Sequence, residues 1–246
     1  MARFFLPRKK IHDHHGTVDG QELEHLRKVL RFKRDDHITV FDDTGWEHDA
    51  VIRSLTVTRG EIEILSSHQA RRESPLQITL GVGLTKGDKL DFVIEKATEL
   101  GVNTIAPFSS AYAVPRLDER KIAARQSRWE KIALSAVKQS GRTVVPEVLP
   151  VRPFADLVRE TRPEAVKLFF WEKEPEQSLR RLRESRGGVS AVLLLIGPEG
   201  GFSPDEAELA QAHGFESVWL GRRILRAETA ALTALSLVQF LWGDLG

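Results

Sequence analysis

A chain of 246 residues with 41% hydrophobic content can bury one large core or two modest ones, and a formal net charge of +1 creates no global field that selects a partner. Cysteine is absent, which excludes disulfides, zinc ribbons and thiol nucleophiles and fits a reducing cytoplasm. No apolar run approaches bilayer length, and the apolar block in MARFFLPRKK is too short for a secretory signal, so a cytoplasmic protein with no membrane partner is expected.

The charge is unevenly spread. Residues 1–34 hold nine Lys/Arg against four acids, and residues 116–142 hold eight against three. Each segment reads either as a phosphate-facing patch or as an ordinary solvated helix face. Within the first 72 residues, Asp19-Gly20-Gln21-Glu22 matches a capping box that opens a helix over ELEHLRKVLR. HITVF, HDAVIRSL and EIEIL follow as short β-type runs separated by the turns Asp43-Thr44-Gly45 and Arg59-Gly60, which predicts a small barrel or sandwich. Seven of the eight histidines, His12 to His68, lie in this part. SSHQARRESP (66–75) is polar, ends in proline and reads as a linker.

Beyond it, strands and helices alternate. LQITLGV reads as a strand, KLDFVIEKATEL as a helix closed by Gly101, and NTIAPF as a second strand. A long helix is expected from about Asp118 to Ser140, closed by Gly141. AVKLFF and AVLLLI have the unbroken apolar character of buried strands, and SVWL is a shorter one. The last helix, from about Glu228 to Trp242, is apolar nearly all round, which predicts burial or a subunit interface. Alternation of this kind implies an α/β domain with a mainly parallel sheet covered on both faces.

Several loops are candidate sites. GVGLTKG (81–87) follows a strand and precedes a helix, but its spacing is one residue too long for a dinucleotide fingerprint and no Gly-Lys-Ser/Thr appears, so a plain tight turn is the favoured reading. HDHH (12–15) has adjacent histidines with no helical i, i+4 pair, so an exposed loop is expected there and no metal. LLLIGPEGGFSPDE (193–206) is a stronger case. Gly197, Gly200 and Gly201 remove side chains where a ligand must approach the main chain closely, and Ser203-Pro204-Asp205-Glu206 supplies a well-capped helix start. The loop is thus strung between two rigid supports. LGRRILRAET (220–229) also joins a strand to an apolar helix, and its three arginines suit an anionic substrate or a charge that builds during reaction.

Together these loops resemble the bacterial methyltransferases that modify N3 of a uridine in 16S ribosomal RNA, the RsmE type within the SPOUT superfamily. The resemblance runs along almost the whole chain, through HLRKVLR (25–31), ESPLQITL (73–80), KGDKLDFVIEKATELGV (86–102), QSGRTVVPEV (139–148), LLIGPEGGFSPDE and LGRRILRAETAALTAL. It implies a PUA-like RNA-binding β-barrel over residues 1–72, a knotted α/β SPOUT methyltransferase domain over residues 73–246, and a homodimer. In such enzymes S-adenosylmethionine lies bent in the knot, held mostly by backbone groups. By position the holding residues are Ile196, Gly197, Pro198, Glu199, Gly200, Gly201, Leu220, Gly221, Ile224, Leu225 and Arg226.

The implied chemistry adds a methyl group to uracil N3, whose lone pair is tied up in the imide until its proton leaves. An unpaired or flipped uridine is therefore expected as the target. Arg226 is the candidate to stabilise the imide anion, and a guanidinium cannot itself be the base. Glu228 or Glu199 is the proton acceptor, and the sequence does not choose between them. Arg3, Arg8, Arg27 and Arg31, with His25 nearby, are candidates for RNA phosphate contacts. Arg142, at the long helix's end, is a further RNA-binding candidate that reaches toward the site, within one protomer or across the dimer. The expected partner is 16S ribosomal RNA or the assembled small ribosomal subunit. Three rival readings stand beside this one: a SPOUT methyltransferase acting on tRNA or ribose 2′-OH, a non-catalytic RNA-binding or ribosome-assembly protein, and a nucleotide-dependent oxidoreductase built on GVGLTKG.

Overall fold

The computed structural model describes residues 3–112, 119–160, 165–171 and 179–246. The chain divides into two compact units, Met1–Glu73 with Val137–Val145, and Ser74–Ala136 with Pro146–Gly246.

The first unit contains β1 (Arg3–Phe5), β2 (Ile11–His12), β3 (His15–Val18), α1 (Gly20–Glu24), β4 (His37–Phe41), β5 (Trp46–Leu55) and β6 (Gly60–Gln69). The strands form one sheet in the order β1-β4-β5-β6-β3-β2, with β1 parallel to β4 and the other pairs antiparallel. Side chains two apart share a face of a strand, so Ile38 and Val40, Ala50 and Ile52, and Ile62 and Ile64 point to one core. Leu23 and Leu26 pack into the same core with Phe4.

Four expectations are corrected here. The capping box does not form: Asp19 occupies the N-cap position but makes no cap bond, and its carboxylate instead meets Lys10 at 2.5 Å. Glu22, which would close the box, pairs with Lys138 and accepts the Phe5 N–H at 3.4 Å. Tertiary charge partners have displaced the local cap. The helix also widens into a π-turn over His25–Val29 and stops before Arg31, whose φ is 57°.

The expected linker is half strand. Ser66–Gln69 belong to β6 and pair with Trp46–Asp49, and Ser66 Oγ donates to Asp49 at 2.9 Å. Polar residues there mark a solvent-facing strand, which composition alone confuses with a loop. HDHH is not an open loop but a two-residue hairpin, with His12 opposite His15 and both Asp13 (φ 43°) and His14 (φ 64°) in the left-handed region. All four side chains are exposed.

The segment Val137–Val145 belongs with the first unit because its main chain finds partners there. Glu73 accepts the Thr143 and Val144 N–H groups at 2.8 and 3.2 Å, and Asp43 accepts the Val145 N–H at 2.7 Å. Arg3 and Arg72 donate to the carbonyls of Arg142 and Gly141 at 3.0 and 3.1 Å. These bonds satisfy main-chain groups of residues 141–145, which lie past the helix end and have no helical partner.

The second unit contains β7 (Gln77–Gly83), α2 (Lys89–Glu99), β8 (Thr104–Ser109), β9 (Glu147–Val148), β10 (Arg152–Pro153), α4 (Phe154–Arg159), β11 (Val166–Phe170), α5 (Leu179–Ser185), β12 (Ala191–Ile196), α6 (Pro204–Ala212), β13 (Glu216–Val218) and α7 (Ala227–Trp242). Between β8 and β9 runs α3 (Glu119–Ser140), whose last turn falls in the first unit. Its expected start, Asp118, lies outside the described residues. The strands form a parallel sheet in the order β10-β8-β7-β12-β11-β13, with β9 beside β8.

Alternation along β12 shows why the sheet is buried on both sides. Leu194 and Ile196 enter the cluster that holds α2, α3 and α7, while Leu193 and Leu195 enter the cluster that holds α4 and α6. Both faces need apolar residues, hence the unbroken AVLLLI. GVGLTKG departs from expectation, because Gly81 and Gly83 lie inside β7 and only Gly87 stands in the turn. A Cβ on Gly81 would sit 2.5 Å from Leu195 Cδ2, so this glycine serves close packing. Among the described residues no helix is long and apolar enough to cross a membrane.

One buried polar group anchors α7. Gln239 accepts from Ser74 Oγ and donates to the Leu100 carbonyl, both at 2.8 Å. Gln239→Leu would leave two buried groups without a partner and is expected to cost about 1–3 kcal/mol. Urea unfolding measures this loss, and an unchanged midpoint contradicts it.

Candidate active site

Strand register sets up the site. Val82 lies opposite Ile196, Ile196 opposite Phe170, and Phe170 opposite Val218. The carboxyl ends of β7, β12, β11 and β13 therefore form one row, and the loops that leave them start side by side. Ligands of open α/β sheets bind outside such strand ends. Here the row borders a cavity of about 760 Å³, walled by residues 196–202 and 218–227 with Lys89, Phe170, Trp171 and Ala230.

The first wall is the loop after β12. The Ser203 hydroxyl accepts the Glu206 N–H at 3.2 Å, and Glu206 accepts the Ser203 N–H at 2.9 Å, so this capping box is complete. The other oxygen of Glu206 accepts the Ala111 N–H at 2.9 Å and ties in the segment after β8. Gly201 has φ 70°, and its N–H closes a turn onto the Pro198 carbonyl at 2.9 Å. Gly83 admits the loop against the sheet: a Cβ there would lie 2.5 Å from Pro198 N.

Glu199 lies on this wall and is held from outside the loop. One of its oxygens accepts the Lys86 N–H at 3.2 Å and the Lys89 ammonium at 2.9 Å. Burial alone would push its pKa up, but the Lys89 hydrogen bond, the N–H groups of Glu199 and Lys86, and the Lys89 charge together hold the carboxyl below the usual glutamate range.

The second wall is the loop from β13 to α7. Gly221 takes φ 113°, and Arg226 stands at the N-cap of α7 with no side-chain cap bond. Arg222, Arg223 and Arg226 are exposed, and Ile224 between them is 87% exposed. Among the described residues no carboxylate forms an ion pair with any of these three arginines.

Ile196, Gly197, Pro198, Glu199, Gly200, Gly201, Leu220, Gly221, Ile224, Leu225 and Arg226 thus line one cavity. Glu228 does not line it. That side chain is half-buried in the first turn of α7, and its Oε2 is buried without a hydrogen-bond partner. Arg8 and Arg31 are exposed in the first unit, and Arg27 donates to the Val57 carbonyl at 3.2 Å. His25 is half-buried, its ring 5.9 Å from that of Phe4.

Arg3 and Arg142, expected to contact RNA phosphates, each already have a carboxylate partner. Arg3 donates to Glu47 at 2.9 Å, and Arg142, 4% exposed, donates to Glu73 at 2.9 and 2.7 Å. Arg142 is buried and Arg3 half-buried, and each guanidinium spends charge-assisted hydrogen bonds on a carboxylate within the first unit. Sequence reasoning overlooked Lys89, Phe170, Trp171 and Trp219 on the cavity wall. The available signal was an aromatic immediately past an apolar run, in FFW and SVWL, where a parallel strand ends at a ligand site.

Residues 72–239 match the family described as the RNA methyltransferase domain. The chain is 32% identical to the ribosomal RNA small subunit methyltransferase E of Bacillus subtilis, over 91% of this chain and 89% of that one. It is 34% identical to the protein of that name from Buchnera aphidicola, over 93% and 92%. Among solved structures, the ribosomal RNA small subunit methyltransferase E of Neisseria gonorrhoeae, bound to S-adenosylmethionine, is 38% identical, with a TM-score of 0.88 and 100% of each chain covered. A methyltransferase from Legionella pneumophila in complex with the same compound is 33% identical, with a TM-score of 0.89 and 99% of each chain covered. Matches of this extent, across both units and the cavity-forming loops, place the chain in the RsmE family of ribosomal RNA small subunit methyltransferases.

Proposed function

We propose that this protein transfers the methyl group of S-adenosylmethionine to N3 of a uridine in 16S ribosomal RNA. The observation that carries the reading is the cavity of about 760 Å³, formed where two glycine-bearing loops leave strand ends held in one row. Its volume suits a nucleoside-sized ligand. Main chain at Gly197, Gly200, Gly201 and Gly221 can approach a ligand closely, and Phe170, Ile196, Leu220 and Leu225 offer apolar contact to a purine. This fits the compound bound by the two relatives.

When bound, S-adenosylmethionine supplies a methyl group on a sulfonium, so an N3–CH₃ bond forms as the C–S bond breaks and the imide proton passes to a base. The residues do the rest. Arg226, which has no carboxylate ion-pair partner among the described residues, stabilises the negative charge spread over the uracil carbonyls from the cavity wall. Glu199 is a poor base, because Lys86 and Lys89 hold it ionised and hydrogen-bonded. That leaves Glu228, two residues beyond Arg226 and with one oxygen without a partner among the described residues, as the proton acceptor, reached through water because its side chain does not line the cavity.

The first unit is the RNA-docking domain in this reading, with Arg8, Arg27 and Arg31 as phosphate contacts. Replacing the three by glutamine is expected to weaken RNA binding and flatten its salt dependence by about one unit per lost contact, with donor affinity unchanged. Filter binding across a salt series measures this, and an unaltered slope contradicts it. Phe92 on α2 and Leu237 and Phe240 on α7 are exposed, and burying them between two copies makes the protein a homodimer. It acts in the cytoplasm, on ribosomal RNA or the assembling small subunit.

The test incubates the protein and labelled S-adenosylmethionine with protein-free 16S RNA and, separately, with small subunits isolated from cells lacking the gene. Label in 3-methyluridine after nuclease digestion supports the proposal. Label in a ribose 2′-O-methyl product or in tRNA, or no label with either substrate, overturns it.

A further inference from the structure

The cavity wall carries mostly positive charge. Lys89, Arg222, Arg223 and Arg226 line it, and Glu199 is the single carboxylate among its described residues. An ammonium group bound elsewhere on this wall faces guanidinium groups. Glu199 and Lys89 stand together, 2.9 Å apart, with side chains only 30% and 37% exposed. Each presents its charge to the cavity on a different support. Glu199 sits on the loop after β12, while Lys89 begins α2, an eleven-residue helix.

A paired carboxylate and ammonium are the complement of an amino acid in its zwitterionic form, which carries one charge of each sign at neutral pH. We propose that Glu199 and Lys89 form a subsite for the amino-acid end of the methyl donor, Glu199 taking the α-ammonium and Lys89 the α-carboxylate. This rests on the reading of the cavity as the donor site. Without donor the two side chains satisfy one another, so neither is left as an unpaired charge. With donor bound, each gains a partner of opposite sign, and the Lys86 N–H keeps the Glu199 carboxylate in place during the exchange. The subsite fixes which end of the donor enters on the β12 side.

Isothermal titration with S-adenosylhomocysteine and with 5′-methylthioadenosine, which lacks the amino-acid end, tests the subsite without reference to turnover. In Lys89→Met the affinity for S-adenosylhomocysteine is expected to fall at least about tenfold, the loss of a charge-assisted hydrogen bond. Affinity for 5′-methylthioadenosine stays within about twofold, and Lys89→Arg restores most of the S-adenosylhomocysteine binding. Equal loss for both compounds means that Lys89 only props up the loop, and no loss for either means that it does not meet the donor. Both outcomes overturn the subsite. If the unaltered protein binds neither compound, the donor cavity itself has been misread, a failure that the titration keeps separate from failure of the subsite.

Discussion

Arg226→Ala is expected to lower the rate of methyl transfer by about a hundred- to a thousandfold, the effect of removing one group aimed at a developing oxyanion. Affinity for S-adenosylhomocysteine should change little, because in this reading the guanidinium acts on the uracil and not on the donor, and alanine keeps the main chain at this position of the cavity wall. As the N-cap of α7, Arg226 makes no side-chain cap bond, so its removal leaves the helix start as it was. Single-turnover assays beside calorimetry separate the two effects. Turnover at the normal rate would remove the arginine from the mechanism, and a loss confined to donor affinity would move it from anion stabilisation to donor binding.

Gly83→Ala is the second substitution with a large expected effect, although Gly83 carries no chemistry. The added Cβ would lie 2.5 Å from Pro198 N, 2.6 Å from Pro198 Cδ and 3.1 Å from the Gly197 carbonyl carbon. These are main-chain and ring atoms with no rotamer to change, so the whole loop must move off β7. Overpacking of this kind costs about 1–3 kcal/mol. Where the displaced atoms form a binding wall, S-adenosylhomocysteine affinity should fall about ten- to a hundredfold. Gly87→Ala is the control. A Cβ at Gly87 meets nothing within 4 Å, although its φ of 64° disfavours alanine, so stability drops without a matching loss of affinity. Equal affinities for the two variants would show that the loop does not depend on its seat against β7.

These two glycines mark the limit of what the sequence makes legible. AVLLLI is readable as a buried strand because parallel sheets impose apolar residues on both faces, and β12 spans that run from Ala191 to Ile196. The glycines after it and the Ser203–Glu206 cap are readable because they are local devices. Gly83 is not, since its need is set by Pro198, more than a hundred residues away. The same holds for Arg3 and Arg142. A basic residue looks alike in sequence whether it faces solvent or a buried carboxylate, and only the fold supplies Glu47 and Glu73. The failed capping box at Asp19 and Glu22 repeats this point with acids, drawn away by Lys10 and Lys138. Short elements such as β9, β10 and α4 carry too few residues to establish a period.

The row formed by Val82, Ile196, Phe170 and Val218 has a consequence for how far such a protein can vary. A slip of β11 by a single position would carry Trp171 about 3.3 Å along the chain direction and turn it to the opposite side of the sheet. Neither half of the pocket could follow by a smaller step, because hydrogen-bonded ladders admit only whole-residue moves. Insertions within these strands should therefore be far less tolerated than substitutions in the turns beyond them.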